Sequence, residues 1–279
     1  MTSPETPAVT SPDTPAPSPD SAGDIAPARL GDGARRPIPR PQTFRPGSPA
    51  PWAHLGLDER YPLPLERVLT AVRASQPRAG EVRHRGPWRT LAGEVMEASP
   101  AAVLVALFEE GGDTRVILTV RSDRLRSHQG EVAFPGGRFD VGENAVAAAL
   151  REAYEEVSLD PGLVDVVGEL TPMPTRSSDT VMTPVVGSLT GRTPLQANPA
   201  EVDRVFDVAL SDLAADGAFH EEWWSVRDRP GPPPPSGGEF PVWFFEVAGE
   251  TVWGATARTL VELLCLVLGV KRPESAPVP

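Results

Sequence analysis

The sequence of 279 residues contains very little cysteine and very little lysine. Cys265 is the only cysteine and lies in the apolar run LVELLCLVLGV, so an intrachain disulfide is excluded and a buried structural thiol is expected. This usage is typical of a reducing compartment. Lys271 is the only lysine among 26 basic residues, so arginine is the default cation of the chain. A single arginine therefore indicates a function only where a motif surrounds it.

Long hydrophobic runs are also missing from the chain. No apolar stretch reaches the ~18 residues that a membrane-spanning helix requires. The first residues do not combine a basic segment with an apolar core, as a secretory signal would. We therefore expect a cytoplasmic protein that does not enter a membrane.

The 34 prolines divide the chain unevenly, because 13 of them fall in residues 1–51. Proline alternates there with serine, threonine, alanine and aspartate, and this composition has too few apolar side chains to offset the entropy lost on ordering. We predict a disordered tail over residues 1–51, one folded domain over residues 52–271 and a flexible end over residues 272–279. The tail could also serve as an interaction module beside any activity of the domain.

The formal net charge of −12 belongs to the predicted domain, because the tail contains five acidic residues and five arginines. A net acidic domain disfavours broad electrostatic binding to nucleic acid or to an anionic membrane. These two classes of partner are therefore not expected.

Hydrophobic periodicity places helices and strands along the domain, and their mixture predicts an α/β or α+β sandwich. The predicted helices are Leu63–Ser75, Glu143–Asp160 ending before Pro161, about Thr256–Leu268, and a short helix capped by Ser211. The predicted strands are Ala101–Glu110, Thr114–Ser122, Val164–Leu170, Val181–Leu189, Val205–Leu210 and Pro241–Gly249. A turn at Gly111–Asp113 joins the first two strands in a hairpin. Loops are predicted for the segment that ends at Phe134–Gly137 and for the proline-rich Gly231–Gly238.

Three glutamates share one face of the strongest predicted helix. Glu152, Glu155 and Glu156 stand at i, i+3 and i+4, which places their carboxylates together over about one turn. Like charges at this spacing repel one another, whereas a divalent cation that prefers oxygen ligands, Mg²⁺ or Mn²⁺, would stabilise them. A solvated acidic helix face is the alternative interpretation, and the surrounding residues decide between the two.

Those surrounding residues have a fixed spacing. Gly137 is followed after five residues by Glu143, and after seven more by REAYEEVSL, which runs from Arg151 to Leu159. Over residues 137–159 the pattern resembles the box of the Nudix family, G-x5-E-x7-R-E-U-x-E-E-x-G-U, where U is a bulky aliphatic residue. The resemblance implies a Nudix-like α/β/α sandwich with a mixed β-sheet, in which the box forms a loop, a helix and a loop.

Two positions depart from the pattern of the box. Ala153 replaces the bulky aliphatic residue, and we expect it to face a tight core position. Ser158 replaces the second glycine, and we expect a strained or different turn there, because glycine relieves a left-handed turn at the end of a helix. Neither change removes a charged residue of the box.

The Nudix resemblance assigns roles to the residues of the box. The helix glutamates, Glu152, Glu155 and Glu156, would bind Mg²⁺ or Mn²⁺, with the carbonyl oxygen of Gly136 as a further candidate ligand. Arg151 and Glu143 would form an ion pair that orients the loop against the helix. Glu152 is also a candidate for the catalytic base or for the group that orients it, and the sequence leaves these roles open.

The segment before the box carries a second signature. ILTVRSDRLRSHQGEVAFPGG, residues 117–137, resembles the signature of the coenzyme A pyrophosphatase branch of the Nudix family, approximately LLTxRS-x3-R-x3-G-x3-FPGG. The matching positions are Leu118, Thr119, Arg121, Ser122, Arg126, Gly130 and Phe134–Gly137. Two signatures that abut in register are more specific than either alone.

This second resemblance indicates candidate substrate-binding residues, namely Arg121, Arg126, His128 and Gly137. Coenzyme A carries a diphosphate and a separate 3′-phosphate, and the two arginines could bind phosphate through bidentate contacts. Arg121 pairing with Asp123, and His128 as a polar surface residue, are the alternatives. Trp253 in VWGATAR also resembles this branch, where packing or stacking on adenine would suit it.

These patterns together predict a metal-dependent hydrolase that cleaves the diphosphate bond of coenzyme A or acyl-coenzyme A to 3′,5′-ADP and 4′-phosphopantetheine or its acyl derivative. Two alternatives stay open. One is a Nudix hydrolase of another compound, such as a dinucleotide or a nucleotide sugar, and the other is a non-catalytic module that senses coenzyme A. The expected partner is a small-molecule substrate, and a homodimer is the candidate quaternary state.

Overall fold

The computed structural model describes residues 38–77, 98–175, 180–225 and 238–273 of the chain. Its strands are β1 (Phe44–Pro46), β2 (Ser99–Glu110), β3 (Asp113–Arg121), β4 (Val132–Ala133), β5 (Gly136–Arg138), β6 (Asp165–Glu169), β7 (Met173–Pro174), β8 (Thr180–Ser188), β9 (Val202–Ala209), β10 (Phe219–Ser225), β11 (Glu239–Val247) and β12 (Glu250–Trp253). Its α-helices are α1 (Leu57–Arg60), α2 (Leu65–Ala74), α3 (Ala145–Val157), α4 (Leu210–Ala214) and α5 (Gly254–Leu268), and a 3₁₀ turn covers Pro161–Leu163.

The larger of two sheets is mixed and contains β2 to β9. Strands β4, β3, β2, β8 and β6 lie in this order, with β5 paired to β2, β7 to β8 and β9 to β3. β2 runs parallel to β8 and antiparallel to β3. Because side chains alternate along a strand, Leu104 and Phe108 of β2 pack with α3, whereas Val105 and Leu107 belong to the core on the other face.

The second face of the larger sheet is covered by α2, α5 and the smaller sheet, in which β1, β10, β11 and β12 lie in this order. Trp52 is fully buried in this second core, stacked 6.2 Å from Phe245 and edge-on to Phe219. With α3 on one face of the mixed sheet and α2 and α5 on the other, the predicted α/β/α arrangement is confirmed.

The long predicted helices and all six predicted strands are present, and their ends differ from the prediction by at most three residues. The predicted hairpin turn is formed by Gly111 and Gly112, whose φ angles of 63° and 81° favour glycine. The predicted cap at Ser211 is wrong. Helix α4 begins at Leu210, and the hydroxyl of Ser211 instead donates to the buried carboxylate of Asp113.

Several strands were not predicted, namely β1, β4, β5, β7, β10 and β12. Two of them, β4 and β5, lie in the segment before α3 that was predicted to be a loop. Residues 231–237 of the predicted proline-rich loop lie outside the described residues, and Gly238 precedes β11.

Described residues on both sides of the predicted domain, 52–271, contact it. Residues 1–37 of the predicted tail lie outside the described residues, but β1 pairs Phe44 with Trp224 of β10. Arg45 lies over the Trp223 ring at 4.9 Å, so the end of the proline-rich region forms part of the smaller sheet. Arg272, in the predicted flexible end, forms an ion pair of 2.6 Å with buried Glu262.

Of the α-helices described, none has both the length and the apolar character needed to cross a membrane.

Candidate active site

Helix α3 presents one side to the core and the other to the candidate site. Asn144 precedes the helix and caps it, because its side chain accepts a hydrogen bond of 2.9 Å from the backbone N–H of Ala147. Ala148 and Ala149 are fully buried against the larger sheet. These small side chains allow the helix to lie close to β2 and β5. The glutamates of α3 therefore lie near β5, the strand in which the box begins.

Both departures from the box have a structural explanation. Ala153 is fully buried in the same cluster as Leu104 of β2, so the tight core position expected for it is confirmed. Ser158 has φ 57° and ψ 29°, the left-handed conformation that glycine adopts most easily. The helix therefore ends at Val157 rather than at Asp160, and the expected strained turn is present.

Arg151 forms the predicted ion pair with Glu143. Its Nε lies 2.9 Å from Oε1 and its Nη2 lies 3.0 Å from Oε2 of that carboxylate, a bidentate geometry. The hydrogen bond to Arg151 is the largest of the effects that lower the pKa of Glu143. Nη2 also donates to the carbonyl oxygen of Arg138 at 2.9 Å, so Arg151 connects α3 to the end of β5 and to the loop that follows it.

Three carboxylates converge beside α3. Oxygen atoms of Glu152, Glu156 and Glu201 all lie within 4.8 Å of one another. Two of these glutamates belong to the box, and the third comes from the segment just before β9. The structure does not place Glu155 in this group: its side chain is 51% exposed, and a carboxylate oxygen lies 3.0 Å from Nη1 of Arg151.

Backbone hydrogen bonds on both sides fix the position of Glu201. The N–H of Asn198 donates to the carbonyl oxygen of Glu156 at 2.8 Å, and the N–H of Glu201 donates to that of Asn198 at 3.0 Å. The carbonyl oxygen of Glu201 accepts from the N–H of Ser122, just after β3, at 2.8 Å. Glu201 was not predicted, because the segment EVDR that contains it has no fixed spacing relative to the box.

Burial determines the charge properties of this cluster. Glu156 is only 4% exposed, and burial raises the pKa of its carboxyl group to about 7. A hydrogen bond of 3.0 Å from the N–H of Gly136 opposes this effect in part. Burial also raises the pKa of Glu152, against the opposing effect of Arg151. The cluster therefore holds less negative charge at neutral pH than three exposed glutamates would.

Gly136 and Gly137 allow the close approach of strand and helix. A Cβ atom on Gly136 would overlap the backbone of β2, including the carbonyl oxygen of Ala102. A Cβ atom on Gly137 would overlap the carboxylate of Glu152. Gly137 therefore shapes the cluster by leaving room for Glu152. The carbonyl oxygen of Gly136 as a ligand stays a prediction.

The upstream motif lies next to the cluster. Arg121 ends β3, and its buried Nε has no hydrogen-bond partner within the described part of the chain. Its charge lowers the pKa of Glu156, although burial has the larger, opposite effect. His128 has φ 56°, and its Nδ1 lies 2.9 Å from Glu131, a hydrogen bond that raises the pKa of the imidazole. Arg126 is exposed and lines a cleft together with His128.

The donor set of the cluster suits a hard divalent cation. Carboxylate oxygens are the ligands that Mg²⁺ and Mn²⁺ prefer, and the three side chains already lie close enough to share one ion. The raised pKa values of Glu152 and Glu156 show that burial and mutual repulsion make this set of charges unfavourable without a cation. The residues present therefore fit the predicted metal.

A family model and several known proteins match the sequence of this chain. The model of the NUDIX domain family matches residues 98–229, which include the box, the upstream motif and Glu201. A relative from Photorhabdus laumondii, named as an uncharacterized Nudix hydrolase NudL, is 38% identical over 164 residues, which make up 58% of this chain and 82% of the relative. The NudL protein of Escherichia coli K12 is 37% identical over 179 residues, or 64% of this chain and 87% of the relative.

Among solved structures, a MutT/nudix family protein from Enterococcus faecalis aligns with this chain at 16% identity and a TM-score of 0.41. The alignment covers 77% of this chain and 73% of the Enterococcus faecalis chain. The NudL relatives are the stronger finding, because they align over most of their own length at 38% and 37% identity. On the strength of the NudL alignments, and with the residues of the box in place, the chain belongs to the Nudix hydrolase family.

Proposed function

We propose that this Nudix hydrolase cleaves the diphosphate bond of coenzyme A or acyl-coenzyme A, giving 3′,5′-ADP and 4′-phosphopantetheine or its acyl derivative. The position of Arg121 is the observation that carries the proposal. A buried guanidinium nitrogen without a hydrogen-bond partner among the described residues lies near the carboxylate cluster and belongs to the upstream motif. A phosphate oxygen would supply the missing partner.

The carboxylates would bind the cation, and one of them would accept a proton from the attacking water molecule. Glu152, Glu156 and Glu201 would bind Mg²⁺ or Mn²⁺, with Glu155 as the further ligand that the box implies. The bound cation would neutralise charge on the diphosphate and lower the pKa of a water molecule. The water oxygen forms a bond to phosphorus, the bridging P–O bond breaks with its electron pair leaving on the second phosphate, and a cluster carboxylate takes the proton of the water. Glu152 and Glu201 are the candidates for this base.

Cationic side chains would position the substrate and the loop. Arg121, Arg126 and His128 would contact its phosphates, and Arg151 with Glu143 would hold the box loop in place beside the cluster. The net charge of −12 supports a small-molecule substrate that binds with a cation, rather than nucleic acid. The cytoplasmic location, the homodimer and the hydrolase domain over residues 52–271 stay predictions.

Product identification tests this proposal. The purified chain is incubated with Mg²⁺ or Mn²⁺ and one substrate in each of four parallel reactions. The substrates are coenzyme A, acetyl-coenzyme A, a dinucleoside polyphosphate and a nucleotide sugar. We expect mass spectrometry to find 3′,5′-ADP only with the first two, and none in EDTA. Hydrolysis confined to the other substrates would contradict the proposal. Binding of coenzyme A without release of 3′,5′-ADP would favour the sensing module instead.

A further inference from the structure

The loop that carries Glu201 runs from the end of β8 to the start of β9, over residues 189–201. It contains no helix or strand of its own, and ordered loops of this length are uncommon unless they serve a function. Arg192, near its start, forms bidentate contacts of 2.6 to 3.2 Å with Glu110 of β2 and Asp207 of β9. The first part of the loop is therefore attached to the larger sheet, and its last part determines where Glu201 lies.

The last part of the loop is bound to the C-terminal end of α3. The N–H of Gln196 donates to the carbonyl oxygen of Val157 at 3.0 Å, and the N–H of Asn198 donates to that of Glu156 at 2.8 Å. Both carbonyl groups lie in the last turn of the helix, where no further helical N–H is available to them. Asn198 is therefore hydrogen-bonded to the backbone of a residue whose side chain belongs to the carboxylate cluster.

Asn198 also folds the turn that leads to Glu201. Its Oδ1 atom accepts a hydrogen bond of 3.1 Å from the N–H of Ala200. Its carbonyl oxygen accepts hydrogen bonds of 3.0 and 2.8 Å from the N–H groups of Glu201 and Val202. Asparagine favours such a turn, because its side-chain oxygen reaches the backbone two residues on. The direction in which the chain presents Glu201 therefore depends on the side chain at position 198.

Ser122 holds the same turn from the end of β3. Its side chain is fully buried, and its hydroxyl donates to the carbonyl oxygen of Pro199 at 3.4 Å and accepts from the N–H of Arg124 at 3.3 Å. Its own N–H donates to the carbonyl oxygen of Glu201 at 2.8 Å. Ser122 belongs to the upstream motif, but a side chain without exposed surface is not available to a substrate. Its contacts are instead with the loop that carries Glu201.

We propose that Asn198 and Ser122 are positioning residues that hold the carboxylate of Glu201 within reach of the other two carboxylates of the cluster. Oxygen atoms of the three glutamates lie within 4.8 Å of one another, and they can share one divalent cation only while the loop keeps this position. This inference rests on the proposed role of Glu201 as a cation ligand, and it does not depend on which diphosphate is the substrate.

Binding of Mn²⁺ without substrate tests the positioning role. Dissociation constants are measured by electron paramagnetic resonance on the full chain and on Asn198→Ala, Asn198→Asp and Ser122→Ala. We expect both alanine variants to bind Mn²⁺ about tenfold more weakly, because groups that orient metal ligands typically contribute about 10- to 100-fold to affinity. Asn198→Asp keeps a side-chain oxygen that accepts the N–H of Ala200, so it should restore most of the loss.

Asp160→Ala is the matched control. Asp160 accepts a hydrogen bond of 2.8 Å from the N–H of Gly162, the same contact between residues two apart that Asn198 makes with Ala200. It lies in an exposed turn after α3 and supplies no carboxylate to the cluster. The dissociation constant for Mn²⁺ should stay within about twofold of the parent value, because the charge that is lost is exposed and screened by salt.

The same substitutions in a Glu201→Gln background separate positioning from a general effect on the fold. If Asn198 acts through Glu201, Asn198→Ala should weaken Mn²⁺ binding little further once that carboxylate is gone. Equal losses in both backgrounds, parent-like affinity of both alanine variants, or a loss in Asn198→Asp as large as in Asn198→Ala would overturn the inference. Melting temperatures identify any loss that comes from unfolding. Asn198 is only partly buried, so its variants keep the test decisive if Ser122→Ala does not fold.

Two other outcomes distinguish this inference from the proposed substrate. Parent-like Mn²⁺ affinity of Glu201→Gln would show that Glu201 is not a ligand, and it would overturn the positioning role with it. A parent that binds Mn²⁺ but releases no 3′,5′-ADP from coenzyme A would refute the proposed substrate alone. The losses expected in Asn198→Ala and Ser122→Ala would still support the positioning role in that case, because Mn²⁺ binding is measured without substrate.

Discussion

Replacing Glu156 with glutamine is expected to make the metal-free protein more stable at alkaline pH while removing its metal-dependent activity. The carboxyl group is 4% exposed, and burial raises its pKa from 4.5 to about 7. Since each pH unit of such a difference is worth about 1.4 kcal/mol, the ionised carboxylate costs the folded state about 3 kcal/mol above pH 7. Glutamine carries no charge and still offers an oxygen to the N–H of Gly136.

The raised pKa of Glu156 determines how the free energy of unfolding changes with pH. Between about pH 4.5 and pH 7 the folded chain binds the Glu156 proton more tightly than the unfolded chain does. The free energy of unfolding of the parent therefore falls as the pH rises through this window, and the contribution is fully lost above it. The variant lacks this contribution. Its advantage over the parent should grow from near zero at about pH 4 to about 3 kcal/mol at pH 8.

Thermal and urea unfolding of the two proteins in EDTA, at several pH values, measures this difference. For a domain of this size the expected advantage at pH 8 corresponds to roughly 6 to 12 °C in melting temperature. Glu155→Gln is the matched control, because Glu155 is exposed and its contact with Arg151 is a surface ion pair worth about 0 to 1 kcal/mol. A difference between parent and Glu156→Gln that does not vary from pH 5 to pH 8 would refute the reasoning. Added Mg²⁺ should raise the melting temperature of the parent at pH 8 and have little effect on Glu156→Gln.

Three further substitutions test individual positions. Glu201→Gln should lower kcat by about a hundredfold or more without lowering the melting temperature, and parent-like turnover would exclude Glu201 from the site. Gly137→Ala should reduce turnover because a Cβ atom there overlaps the carboxylate of Glu152, and a crystal structure with Glu152 unmoved would contradict this cause. Ser158→Gly should raise the free energy of unfolding by about 0.5 to 1 kcal/mol, since the residue has φ 57°, and denaturant titration showing a loss would disprove strain at this turn.

Local patterns predicted the helix of the site and its ion pair. The alternation of alanine and glutamate over α3 has a helical period, and a fixed spacing connects Arg151 to Glu143, so both features depend on residues near one another in the sequence. Glu201 is different, because it lies 45 residues beyond Glu156 and reaches it only through the fold. Its position depends on the hydrogen bonds that join its loop to α3 and β3, which no local pattern records.

Buried charges explain why β10 was missed. Its sequence, FHEEWWS, places two adjacent glutamates in the middle of a strand and interrupts the alternation of apolar and polar residues. In the structure Glu221 accepts hydrogen bonds of 2.8 Å from the indole N–H groups of Trp223 and Trp243, and Glu222 accepts one of 2.7 Å from Trp224. The tryptophans that follow the glutamates, or lie across the sheet from them, satisfy the buried carboxylates. Such pairing becomes visible only when the strands are brought together.

Small residues connect the stability of the site with its chemistry. Ala148, Ala149 and Ala153 let α3 lie close to the sheet, and Gly136 lets β5 approach β2 without overlap. That closeness buries Glu156 and raises its pKa, a cost to the fold that a bound cation would offset. The small side chain at Ala153 and the raised pKa of Glu156 are therefore both consequences of the close packing of α3 on the sheet. A larger side chain at Ala153 would move the helix outward, expose Glu156 and bring its pKa back toward 4.5, weakening the cluster as a cation site even with every ligand retained.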